Sequence, residues 1–146
     1  MSNDPNYPTN LEADVTLADD RRVHIRPLRP GEDDPIRSFY AQLSPRSRYL
    51  RFFSPMPALP DSVVRLLTAV DYRRQLALVA EDGDAGELVA LASFGAVDAD
   101  RAEVALVVRD DWQHQHVGTE LATRLLQAAE ALGFRRFVVH VTADNT

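Results

Sequence analysis

The most constraining feature of this chain is the stretch AEVALVVRDDWQHQHVGTEL, residues 102–121, which predicts a strand, a turn and the start of a helix. Glu103–Val108 is almost wholly apolar, so we expect a strand buried on both faces. Gly118–Leu132 has apolar residues at helical spacing, and Gly133 is a typical helix-terminating residue. Such a turn presents unpaired N–H groups and a positive helix end, which favours a phosphate site. A plain connection without a ligand is the alternative.

The rest of the chain predicts an α+β domain with a mixed, mostly antiparallel sheet and flanking helices. Further strands are expected around Val15–Leu17, Arg22–Arg26, Gln75–Ala80, Glu87–Val97 and Arg136–Thr142. Further helices are expected over residues 31–43, 46–53 and 62–70. Because one helix separates Glu103–Val108 from the last strand, those two strands should be parallel. Residues 1–20 are polar and predict a flexible N-terminal segment, followed by a single domain over 21–146.

The composition restricts the possible functions. The chain has 146 residues, no cysteine and a formal net charge of −6. The missing cysteine excludes disulfides, thiol nucleophiles and cysteine metal sites. The negative charge argues against nucleic acid or an anionic membrane as the main partner. The polar N-terminus does not resemble a signal peptide, and no apolar run is long enough to span a membrane, so we expect a cytoplasmic protein.

The turn after Val108 resembles motif A of the GNAT superfamily of N-acetyltransferases, whose signature is Gln/Arg-x-x-Gly-x-Gly/Ala. Gln113, Val117 and Gly118 are in register with that signature, and VRDDWQ precedes it. The segments LRPGEDDPIRSFYAQLSPRSRYLRFFS and AEVALVVRDDWQ resemble the GNAT domain of bacterial protein lysine acetyltransferases. The resemblance covers Val23 to Thr146 and implies the GNAT fold, with acetyl-CoA as co-substrate and no metal.

The resemblance also implies which residues bind acetyl-CoA. The backbone of Leu106, Val107 and Val108 would hold the pantetheine arm, and the Val108 amide would polarise the thioester carbonyl. Asn145 matches an asparagine that lies near the pantetheine. The pyrophosphate would be bound by the backbone N–H groups of Gln113, His114, Gln115, His116, Val117, Gly118 and Thr119.

Glu103 is the candidate catalytic residue. A lysine amine is protonated near neutral pH and must lose a proton before it attacks a thioester. A carboxylate at the mouth of the strand could take that proton directly or through water. In similar protein acetyltransferases, a glutamate at this place is regarded as the general base. The alternative is a surface carboxylate that points into water or pairs with Arg101.

Two histidines depart from the family pattern. His116 stands where the family has its first motif glycine, and His114 also replaces a residue that is commonly glycine. If position 116 needs a positive φ, a non-glycine residue there costs about 1–2 kcal/mol. We therefore expect weakened acetyl-CoA binding. A metal site at the histidine pair is disfavoured, because no third ligand has matching spacing.

Another departure from the family pattern concerns a helix and strands that, in the family, follow the position of Thr146. The expectation from this sequence is a GNAT fold without its usual last helix and strands. The strand over 136–142 would then have an uncovered edge, which could pair with a second copy in a homodimer. No general acid can be assigned.

The leading function is acetyl-CoA-dependent acetylation of a lysine amine of a protein, by direct attack in a ternary complex. The alternatives are a degenerate, non-catalytic acyl-CoA-binding or interaction module, and a small-amine acetyltransferase. The cluster of Arg46, Arg48 and Arg51 is either a solvated helix face or a wall facing an acidic protein surface. Hydrolase chemistry is disfavoured because the sequence contains no G-x-S-x-G motif.

Overall fold

The computed structural model describes residues 7–17, 20–42, 68–84, 86–109, 112 and 116–139. These residues form a short 3-10 helix, six strands and two α-helices. In chain order the elements are the 3-10 helix Thr9–Leu11, β1 Ala13–Thr16, β2 Arg22–Pro27, α1 Asp33–Ala41, β3 Gln75–Asp82, β4 Leu88–Ala96, β5 Arg101–Val108, α2 Val117–Ala131 and β6 Arg136–Val139. The predicted helix over 46–53 and most of that over 62–70 lie outside the described residues.

The six strands form one mixed sheet in the order β1-β2-β3-β4-β5-β6. The first four pairings are antiparallel, and β5 and β6 are parallel. Helix α2 makes the crossover between these parallel strands, as the sequence predicts. The expected α+β class and mostly antiparallel sheet are therefore confirmed.

Helix α2 covers the sheet through one apolar face, formed by Val117, Leu121, Leu125 and Ala129. Their spacing places them on one side of the helix, which contacts β3, β4 and β5. Burial of Leu121 and Leu125 contributes about 1.5–3 kcal/mol each. The helix ends before Gly133, whose φ is +102°, as the sequence predicts. Leu132 lies beyond the helix and is 43% exposed.

The expectation that β5 is buried on both faces is wrong. Ala102, Val104 and Val107 are buried, but Glu103 and Leu106 are exposed, Leu106 by 42%. The reason is the way in which α2 packs against the strand. Near Leu106 the packed helix presents Gly118, which has no side chain with which to shield its neighbour. An apolar run shows that a strand can be buried, but not which of its faces a neighbouring element covers.

Candidate active site

Trp112 anchors the chain just beyond the end of β5. The Arg109 N–H donates to the Val89 carbonyl at 2.8 Å, and the Trp112 N–H donates to the Arg109 carbonyl at 2.9 Å. The Trp112 side chain is only 3% exposed. The Arg109 guanidinium lies 3.3 Å from the Glu87 carboxylate. These contacts hold Arg109 and Trp112 in place at the end of β5.

A cation from the first hairpin covers this anchor. The Arg21 guanidinium carbon lies 3.8 Å from the centroid of the Trp112 ring, within the range of a cation–π interaction. Arg21 is positioned by the turn between β1 and β2, where its carbonyl accepts the Leu17 N–H at 2.8 Å. The sequence analysis did not identify Arg21. Its contact joins residues about 90 positions apart, and no local pattern predicts such a pairing.

His116 adopts a left-handed backbone conformation immediately before α2. Its φ and ψ are +70° and +7°, and its side chain makes no capping hydrogen bond. The His116 carbonyl accepts the Glu120 N–H at 3.0 Å, which is the first hydrogen bond of the helix. The N–H groups of Val117, Gly118 and Thr119 therefore have no partner within the helix. The condition stated for position 116, a positive φ, is met.

Gly118 brings the start of α2 close to the end of β5. A Cβ atom at Gly118 would lie 3.3 Å from Val108 Cγ2 and 3.4 Å from Leu106 Cδ2. The shorter distance is tighter than ordinary van der Waals contact, so glycine permits an approach that a side chain would obstruct. The structure therefore brings together Leu106, Val108 and Gly118, three of the predicted acetyl-CoA contacts. Gln113, His114, Gln115 and Asn145 lie outside the described residues.

The other half of β5 borders an open cleft with a volume of about 340 Å³. Strand register gives the arrangement of its floor, because directly opposite residues present their side chains on the same face. One row contains Gln75, Gly95 and Glu103, and the next contains Ala77, Ser93 and Ala105. The cleft floor is therefore lined mostly by small side chains, with Glu103 at one end.

Glu103 is exposed and lines this cleft. Its neighbour across the sheet is Gly95, where an added Cβ would meet no atom within 4 Å. The space above the sheet beside the carboxylate is consequently open. Arg101, considered as a partner for Glu103, has its guanidinium 2.9 Å from the Asp98 carboxylate. Glu103 thus lines a cleft that is open beside its neighbour Gly95.

The sequence analysis missed the small residues that floor the cleft. Ser93 and Gly95 are the available signal, since glycine inside a strand often marks a place where a ligand or another backbone approaches closely. The pattern alone does not show that Ala77 and Ala105 lie opposite Ser93, because register between strands is set by the whole sheet. The cleft therefore becomes visible only in the folded chain.

Comparison with known proteins decides the family. Residues 37–146 match the model of the Acetyltransferase (GNAT) family. The chain belongs to this family. This confirms the resemblance read from motif A, and the fold agrees with it.

Curated relatives support the same assignment. The chain is 31% identical over 133 residues to an acetyltransferase of Pseudomonas aeruginosa, covering 89% of this chain and 72% of the relative. It is 32% identical over 127 residues to the acetyltransferase Pat of Mycolicibacterium smegmatis, covering 84% of this chain and 37% of the relative. The chain therefore spans well under half of the length of Pat. The family and these relatives identify the protein as an N-acetyltransferase.

Solved structures show the same fold. The GNAT domain of S. lividans PAT superposes with a TM-score of 0.87 at 34% identity, covering 95% of this chain and 83% of that one. The cAMP-binding acyltransferase from Mycobacterium smegmatis superposes with a TM-score of 0.62 at 28% identity, covering 92% and 39%. Separately, within the described ranges, no helix is long and apolar enough to cross a membrane.

Proposed function

We propose that this GNAT protein uses acetyl-CoA to acetylate a lysine amine of a protein, by direct attack in a ternary complex. The observation that carries the proposal is the position of Glu103. Its carboxylate lines an open cleft at one end of β5, and the other end of the strand meets the start of α2. Five residue steps separate Glu103 from Val108, which places the two residues about 17 Å apart along the strand. The donor and the acceptor would therefore approach the same strand from opposite ends.

The start of α2 suits the phosphates of the donor. The N–H groups of the first turn and the positive end of the helix favour an anion there. Gly118 lets the start of α2 lie close to Leu106 and Val108, because a Cβ there would crowd both side chains. This combination supports the proposed path of the pantetheine arm along residues 106–108. The proposed roles of Gln113, His114, Gln115 and Asn145 continue to rest on the family resemblance.

Glu103 would act on the acceptor amine. It accepts a proton from the lysine ammonium through water molecules in the open cleft, because Glu103 and the Val108 amide are about 17 Å apart along β5, and leaves a nitrogen lone pair. That nitrogen attacks the thioester carbon, with the Val108 amide polarising the carbonyl oxygen. The carbon–sulfur bond breaks, the acetylated nitrogen loses its remaining extra proton to solvent and becomes an amide, and the thiolate of CoA departs and takes a proton from solvent. The chain has no cysteine, so a cysteine acyl-enzyme is excluded.

The cleft fits a lysine side chain. The residues around its centre, Ala77, Ser93, Gly95 and Ala105, are small, so an unbranched aliphatic stem can lie across the sheet toward Glu103. The resemblance of residues 28–54 and 102–113 to bacterial protein lysine acetyltransferases supports the same acceptor class.

The test is acetyl transfer by the wild type and by Glu103→Gln, with lysine peptides as acceptors. We expect the variant to lose about 10²–10⁴-fold in kcat near pH 7, the usual contribution of a general base. The loss should shrink near pH 10, where much of the lysine is already deprotonated. Glu130→Gln, which changes an exposed carboxylate on α2, is the matched control. Full activity of Glu103→Gln at neutral pH would exclude Glu103 as the base.

One observation favours a second candidate, a non-catalytic acyl-CoA-binding module. His116 has a left-handed backbone at a position where the family has glycine, and this strain lies beside the expected phosphate site. Acetyl-CoA binding in calorimetry, without transfer to a broad panel of proteins and amines, would establish this candidate. Transfer to free small amines with none to proteins would instead indicate a small-amine acetyltransferase.

A further inference from the structure

Two exposed arginines, Arg73 and Arg74, border the acceptor end of the cleft. They immediately precede Gln75, which lines the cleft. The Arg74 carbonyl accepts the N–H of Ala96, another lining residue, at 2.7 Å. The two cations are therefore attached to the same end of the sheet as Glu103.

The turn that carries these arginines is rigid. One oxygen of the Asp71 carboxylate accepts the N–H groups of Arg73, Arg74 and Gln75 at 3.0, 2.8 and 3.0 Å. Burial acts to raise the pKa of Asp71, but these hydrogen bonds lower it overall. Tyr72 has a φ of +64°, its ring is buried, and its hydroxyl donates to the Leu28 carbonyl at 3.1 Å. The backbone at the cleft rim is thus fixed before any partner arrives.

Arg73 and Arg74 differ from most arginines of the described chain. Arg26, Arg101, Arg109, Arg124 and Arg136 all lie within ion-pair distance of a carboxylate. Among the described residues, neither Arg73 nor Arg74 has an ion pair or a side-chain hydrogen bond. The chain as a whole carries a net charge of −6. Two available cations on a fixed turn therefore form a local positive rim, which we call the Arg73–Arg74 rim.

We propose that the Arg73–Arg74 rim binds acidic side chains that flank the acceptor lysine, so that this enzyme prefers lysines in acidic protein segments. The inference rests on the proposed lysine acceptor. Glu103 would attract the lysine while the rim attracts its acidic neighbours, which also fixes the direction of the bound segment. Guanidinium groups suit this role, because each can donate two parallel hydrogen bonds to a carboxylate.

The experiment compares three peptides that have one lysine and the same length, flanked by aspartates, by serines or by arginines. For the wild type we expect kcat/KM to be about 3- to 10-fold higher for the aspartate peptide than for the serine peptide, a typical effect of rim charges. The preference should decrease as salt is raised from 0.05 to 0.5 M, because salt screens exposed charges. The double variant Arg73→Gln/Arg74→Gln should remove it while retaining transfer to the serine peptide.

Arg22→Gln is the matched control. Arg22 is also exposed, has no ion pair among the described residues, and lies at the opposite end of the sheet, so its replacement should leave the preference unchanged. The double variant Arg73→Glu/Arg74→Glu should instead favour the arginine peptide, an outcome that misfolding cannot produce. Equal acetylation of all three peptides by the wild type would overturn the proposed role of the Arg73–Arg74 rim but not the proposed function. Acetylation of no lysine peptide would overturn the proposed function and the rim together.

Discussion

At the scale of single residues, His116 is the most informative departure from the family pattern. The family resemblance places a glycine there, and the backbone retains the left-handed conformation that glycine adopts easily, with φ at +70°. The chain therefore keeps the left-handed conformation at position 116 at a cost of about 1–2 kcal/mol. The shape needed at this position and the residue that occupies it are in conflict.

Replacing His116 with glycine should relieve this conflict. We expect His116→Gly to raise the free energy of unfolding by about 0.5–1 kcal/mol, because the relief of strain exceeds the extra entropy of an unfolded glycine. Acetyl-CoA should bind more tightly to this variant. Urea unfolding and titration calorimetry would measure the two effects.

His116→Ala separates backbone strain from crowding by the imidazole. Alanine removes the ring but keeps the disfavoured backbone, so it should not gain stability. Equal tightening of binding in both variants would attribute the effect to the ring, and unchanged binding in both would contradict the idea that His116 weakens the donor site.

At the scale of elements, the sequence predicts the type and succession of the described strands and helices well. The succession of strands and helices, the parallel β5–β6 pair and the end of α2 at Gly133 follow from local patterns, because each depends on apolar periodicity or turn chemistry. The exposure of Leu106 and the small residues that floor the cleft do not. They depend on which element packs over a strand and on register between strands, and both are properties of the assembled sheet.

The contact between Arg21 and Trp112 links the first hairpin to the segment between β5 and α2, where the proposed donor site lies. We expect Arg21→Ala to lower the free energy of unfolding by about 0.5–2 kcal/mol, the range of a cation–π contact. Because Trp112 anchors the chain between β5 and α2, the same change should raise the KM for acetyl-CoA more than it lowers kcat. Steady-state kinetics and urea unfolding would check both expectations.

The neighbouring Arg22 supplies the control for this prediction. It is exposed, and Arg22→Ala should leave both quantities close to their wild-type values. In Arg21→Lys the KM for acetyl-CoA should lie between those of Arg21→Ala and the wild type, because a lysine ammonium also interacts with an aromatic face. A KM that is unchanged in Arg21→Ala would limit the role of this contact to stability.

At the scale of the whole molecule, one buried cation connects three elements. Arg26 on β2 is 8% exposed and contacts Glu81 on β3 and Glu32 at the start of α1. Its two terminal nitrogens donate to both oxygens of Glu32 at 2.7 and 2.8 Å, and the Arg29 N–H also donates to Glu32 at 2.7 Å. Two carboxylates thus balance one buried guanidinium, as such burial requires.

This network should make stability depend on acid pH. Burial acts to raise the pKa of Glu32, but the hydrogen bonds from Arg26 and Arg29 lower it below its ordinary value of 4.5. A carboxyl whose pKa is lower in the folded state stabilises the fold fully above its unfolded pKa. That contribution disappears as the pH falls through the folded value. We therefore expect Glu32→Gln to cost about 1–3 kcal/mol at pH 7.

The cost of Glu32→Gln should shrink as the pH falls below about 4.5, because the wild-type carboxyl then becomes protonated and resembles the amide. Urea unfolding of both proteins at pH 7, 5 and 3 measures this change. Glu130→Gln is the control, since it alters an exposed carboxylate outside the network. A constant difference between wild type and Glu32→Gln across this range would mean that packing, rather than the charge on Glu32, holds the start of α1 against the sheet.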